Sequence, residues 1–134
     1  MNALKIALWI IGIGCLTAVL FLFLPWAVVE SMVSWSGVEL LPDTPILIYF
    51  YKVIFGVFGL IGVFFIILAR NPFKYGSMLN LGAFGLILFG LLALILGFMI
   101  GIPPIVYLGD SLTGLVFGVA ILIFSAKCKQ ALKR

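Results

Sequence analysis

Four uninterrupted apolar stretches, each about as long as a membrane is thick, constrain this chain more than any other feature. A helix needs about 20 apolar residues to cross the hydrocarbon core. Residues 4–24, 46–69, 77–100 and 105–126 each meet that length. Hydrophobic residues make up 66% of the 134 and charged residues only 9%. Soluble domains carry roughly 45–50% apolar and about 25% charged residues, so no soluble fold of this size could hide so much apolar surface. The expectation is an all-α integral membrane protein: one four-span domain over residues 1–134, packed as a four-helix bundle.

The ends of the stretches carry their own signals. Pro25 stops the first. Thr44 and Pro45 read as the start of the second, with Thr44 as cap and Pro45 at the first helical position. Lys5 ahead of an apolar run could also read as a signal peptide, but the run is too long and no small-x-small cleavage site follows it.

Charge gives the orientation. Lys5, Arg70, Lys74, Lys127, Lys129, Lys133 and Arg134 are seven of the eight basic residues, and all fall on one side of a four-span arrangement. The first connection, residues 25–45, has no Lys or Arg and contains Glu30, Glu39 and Asp43. Basic residues favour the cytoplasmic side, so both termini are expected there. The net charge of +4 is therefore a topology signal and not a nucleic-acid footprint.

The first connection is the longest. Val29, Met32 and Val33 have helical spacing among Glu30, Ser31 and Ser34, which predicts a short amphipathic helix on the outer surface. After Gly37 the stretch VELLPDTP reads as extended, with Leu40 and Leu41 turned inward. Trp26, Trp35, Tyr49, Tyr51 and Tyr107 gather toward the outer side, and Trp9 and Tyr75 toward the inner one, as interface belts do. Gly56, Gly59, Gly62, Gly82, Gly85, Gly114 and Gly118 recur inside the spans, where small residues let helix backbones approach. They predict packing within the chain, or one face that docks a second subunit. Gly90 and the Gly97–Gly101 pair extend the pattern, and Asn80 is expected to hydrogen-bond between helices.

Several chemistries are missing. The chain has no histidine, the commonest general base and metal ligand. Cys15 and Cys128 lie far apart, with no zinc or dithiol spacing. No metal, cofactor or nucleotide motif is present, and no catalytic residue can be named.

Two charged residues lie inside the spans, Lys52 and Asp110. Lys52 is 18 residues from Arg70 and Asp110 is 17 from Lys127, so both sit about 25–27 Å from the inner boundary at 1.5 Å per residue. Opposite charges at matched depth can pair directly or through a ligand, which lowers the cost of burying either. Lys52 could instead snorkel outward, and Asp110 could stand in the headgroup region. Tyr49, Tyr51, Tyr107, Ser111 and Thr113 lie near the same level and could complete a polar pocket roofed by the first connection.

The motifs YFYKVIFGVFGLIG, ARNPFKYG, LGAFGLILFG, GIPP and YLGDSLTG follow one another through residues 46–124. This order resembles the DoxX-like superfamily of small four-span bacterial membrane proteins, nearest to members of unknown function. The resemblance implies a four-helix membrane bundle with both termini inside, in a bacterial cytoplasmic membrane. Lys52 stands where such proteins often carry a basic residue and Asp110 where they often carry a carboxylate. Relatives also tend to carry an arginine in the third span. This chain reads FGLLALILG there with no charge, so no ligand or activity is carried over.

Four functions compete. A non-catalytic accessory or scaffold subunit of a membrane complex fits the short loops and the missing catalytic motifs. A binder of a lipid, quinone or other hydrophobic molecule fits a polar head site near Lys52 and Asp110. A small transporter would need a carboxylate deep in the first span, which has none. A membrane enzyme would need a nucleophile and base that the chain does not show. The partners implied are membrane lipids and other membrane subunits or a second copy, and no nucleic acid.

Overall fold

The computed structural model describes residues 2–37 and 44–132. Those residues are all-helical. Helix α1 (Asn2–Thr17) runs into a 3-10 segment (Ala18–Phe23), followed by α2 (Trp26–Trp35), α3 (Pro45–Arg70), α4 (Gly76–Ile100) and α5 (Pro104–Leu132). Four segments, Asn2–Phe23, Pro45–Arg70, Gly76–Ile100 and Pro104–Gln130, are long and apolar enough to cross a membrane. Each overlaps a stretch expected from the sequence. The last helix runs farther than expected and takes Lys127, Cys128 and Lys129 into its final turns.

Local chemistry sets most of the boundaries. The first span narrows to a 3-10 helix just before Leu24, which is extended because the ring of Pro25 disfavours helical geometry in the residue ahead of it. Thr17 donates its hydroxyl to the Gly14 carbonyl at 2.7 Å, a side-chain bond that competes with the helix where it changes form. Thr44 precedes α3 as expected, but its hydroxyl makes no cap. Its carbonyl instead accepts from the N–H groups of Leu47 and Ile48, and Pro45 fits the first turn because it has no N–H to satisfy. Helix α4 ends at Gly101, whose φ of +75° lets Ile102 donate back to the Gly97 carbonyl at 3.1 Å. Pro104 then opens α5, so the short turn sends it back along α4.

Helix α2 forms where the amphipathic spacing predicts it. Val29 is its buried residue, while Met32 is half exposed. Ser31 and Ser34 turn their hydroxyls back onto the carbonyls of Val28 and Ser31. Leu40 and Leu41, expected to turn inward, lie outside the described residues, as does the rest of 38–43; of the stretch expected to be extended, Thr44 is extended and Pro45 already begins α3.

The long helices pack as two antiparallel pairs, α1 with α3 and α4 with α5, and α1 also touches α5. Glycines make both pairs close. A Cβ on Gly62 would stand 2.7 Å from the Leu16 nitrogen and 2.8 Å from the Gly12 carbonyl. One on Gly114 would stand 2.6 Å from the Leu86 carbonyl, and one on Gly118 2.9 Å from that of Ala83. On α4, Ala83, Gly90 and Gly97 repeat every seven residues and face Tyr107, Ser111, Gly114 and Gly118 on α5. This is a close seam of small residues, which hold by contact where lipid offers no hydrophobic drive. Gly59 meets Val19, and Gly82 meets the rings of Phe64 and Phe65. Gly56 and Gly85 do not act as packing residues, because a Cβ on either meets nothing within 4 Å.

The core is not centred along the helices. Leu4, Leu8, Phe65, Leu68, Leu79 and Ile121 are buried together at the end that carries the termini and the α3–α4 connection. The other half is open.

Candidate functional site

The open half holds a cleft of about 680 Å³ between the two helix pairs. Its walls come from all four long helices: Ile10 to Cys15 of α1 with Ala18 of the 3-10 segment, Phe55 to Phe65 of α3, Leu81 to Phe89 of α4, and Asp110 to Phe117 of α5. Few contacts join α3 to α4, and that separation leaves the space. Across it Phe58 meets Phe89 edge to face at 5.8 Å. Gly14 and Gly85 line the cleft with no neighbour in front of them, so the missing side chains leave it wide.

The lining is apolar except at three side chains, Cys15, Asp110 and Thr113. Thr113 donates its hydroxyl to the Gly109 carbonyl at 2.7 Å and is already partnered. Asp110 is the one charged residue of the lining. It stands on the second turn of α5 and is open to the cleft.

The sequence-expected residues divide. Asp110 and Thr113 come together in the cleft, while Lys52 is exposed on α3 and is not among the lining residues. Lys52 and Asp110 form no ion pair within 4.0 Å. Depth alone placed them side by side, but two helices that barely touch do not bring equal depths together. The tyrosines serve other contacts. Tyr49 is 61% exposed. Tyr51 sits against Trp26 and Phe55, at ring separations of 5.9 and 4.5 Å. Tyr107 packs on Gly97, and Ser111 is buried in the α4–α5 seam with its carbonyl against Gly90. The side-chain hydrogen bonds run back to carbonyls three or four residues earlier, and among the described residues none, at Asn80 or elsewhere, crosses between helices.

Sequence reasoning missed the phenylalanines. Phe55 and Phe58 of α3 and Phe89 of α4 look like ordinary lipid-facing residues in an apolar run. Spacing gave a partial signal, since 51, 55 and 58 fall on one helix face. Gly12 was missed as well, although it forms half of the α1–α3 contact.

Among the described residues, no three His, Cys, Asp or Glu side chains gather as metal ligands do. The arrangement is built to hold a molecule, with an aromatic and aliphatic enclosure and one acidic group at its edge. Fold and site together define a helical protein with four candidate membrane spans and an interhelical cleft. Comparison with family models, with curated proteins and with solved structures gives no match.

Proposed function

We propose that the chain is a membrane-embedded binding protein for a hydrophobic small molecule, held between the α1–α3 and α4–α5 pairs. The cleft carries this reading. Its volume of about 680 Å³ falls inside the range of roughly 300–1,000 Å³ occupied by small-molecule sites. It also matches their make-up, an apolar enclosure with very few polar groups.

The accessory or scaffold role expected from the sequence has less to rest on. It needs a small-residue face. Of the seven glycines singled out, Gly59, Gly62, Gly82, Gly114 and Gly118 meet other parts of the same chain, and Gly56 and Gly85, on different helices, are left free for a partner. The proposed setting is a four-helix bundle in a bacterial cytoplasmic membrane, of DoxX-like type, with both termini cytoplasmic. The clustering of Lys and Arg at the termini and the α3–α4 connection supports that orientation.

Gly85→Leu is the test, because the new side chain enters the cleft without striking a backbone. Native mass spectrometry of protein extracted gently from its own membrane should show a retained small molecule with the wild type and a depleted one with Gly85→Leu. Wild type that flies bare, or equal retention by both, contradicts the reading.

A further inference from the structure

Resting on the reading of the cleft as a ligand site, we infer that its ligand is a lipophilic cation, an apolar body bearing a positively charged group that Asp110 receives. Among the described residues, the lining contains one carboxylate and no Lys or Arg. A carboxylate is an acceptor only and needs donors or a cation in a low-dielectric setting. Among the described residues, none of its neighbours meets that need. Lys52 makes no ion pair with it, and the Thr113 hydroxyl is committed to the Gly109 carbonyl. Asp110 is exposed on the second turn of α5 at the edge of an apolar cleft, where a cation seated in the cleft would meet it. In this cleft the missing half of the pair is positive.

The walls favour the same class. Phe55, Phe58, Phe89 and Phe117 surround the space, and the faces of aromatic rings attract cations through their quadrupoles. They also accept an aryl or alkyl body. An anionic amphiphile, such as a fatty acid, would set a second negative charge beside Asp110 with nothing to offset it. A neutral molecule would fill the apolar volume and leave the carboxylate unpaired.

Tetraphenylphosphonium and tetraphenylborate separate charge from shape, because they share a size and outline and differ in sign. Binding of each is measured by equilibrium dialysis against protein in phosphatidylcholine nanodiscs, with empty nanodiscs subtracted. Wild type should bind the phosphonium saturably and at least about tenfold more tightly than the borate. Asp110→Asn should weaken the phosphonium by at least about tenfold, the scale of one charge-assisted contact. Asp110→Glu, which keeps the charge, should retain most of the affinity. Gly85→Leu should abolish saturable binding of both ions. Circular dichroism and gel filtration establish that each variant is folded. Equal binding of the two ions, lost in Gly85→Leu and unchanged in Asp110→Asn, would overturn the charge inference and leave the cleft standing. Saturable binding of neither ion, or a preference for the borate, would also overturn it. If native mass spectrometry then finds a molecule that Gly85→Leu depletes, the failure is confined to the charge.

Discussion

The two halves of this molecule solve different problems with the same residue types. At the termini end, Leu4, Leu8, Phe65, Leu68, Leu79 and Ile121 close around one another and tie the four long helices together. At the α2 end, Phe55, Phe58 and Phe89 face a space they do not fill. Leu68 and Leu79 are packing alone, Phe58 and Phe89 are wall, and Phe65 stands at the boundary, packed in the core and lining the inner end of the cleft. The difference lies in what stands opposite. Close glycine contacts draw each pair together along most of its length, but the pairs themselves meet mainly at the closed end. An apolar sequence can thus leave a cleft wherever two seams diverge.

Single truncations should separate the halves most sharply. Leu68 is only 2% exposed and stands outside the cleft lining, so Leu68→Ala removes a packed side chain and should cost about 2–5 kcal/mol. Phe58→Ala, which enlarges an existing space, should cost about 1 kcal/mol. Reversible unfolding in mixed micelles with rising dodecyl sulfate measures both. Equal costs would mean that the open half is packed as tightly as the closed one.

Glycine-to-alanine changes give the next largest contrast. Gly62→Ala and Gly114→Ala drive a methyl into opposing backbone and should each lose about 1–3 kcal/mol. Gly56→Ala and Gly85→Ala meet open space, and the gain in helix propensity should leave them within about 1 kcal/mol of wild type, on the stable side. The same unfolding titration reads all four.

The smallest effect concerns the two charges. Since Lys52 and Asp110 make no ion pair, Lys52→Met and Asp110→Leu should be additive within about 0.5 kcal/mol in a double-mutant cycle. A larger coupling would restore the direct pair that their matched depth suggests.

Much of this architecture was legible in the sequence. Hydropathy and length marked the four spans, and α2 followed from Val29, Met32 and Val33. Glycine was a mixed guide. Five of the seven glycines singled out, such as Gly62 and Gly114, do sit at helix contacts, while Gly56 and Gly85 do not. One rotation of a helix separates the two cases, and apolar runs give no period that fixes rotation when lipid and interior are equally apolar. The cleft was less visible for the same reason. Asp110 stood out by its charge, but the walls around it depend on which helices pair. Matched depth implied a link to Lys52 that the pairing of α1 with α3 and α4 with α5 does not supply.

The most direct test of the central claim, that the open half is a binding space, is photo-crosslinking with an alkyl diazirine in native membranes and peptide mapping of the label. The account predicts saturable labelling on the cleft segments of α3 and α4, around residues 55–65 and 81–89. That labelling should be competed by unmodified alkyl chain and lost in Gly85→Leu. Label spread evenly over outward residues such as Leu60, Leu88 and Phe98, and unchanged by Gly85→Leu, would contradict it.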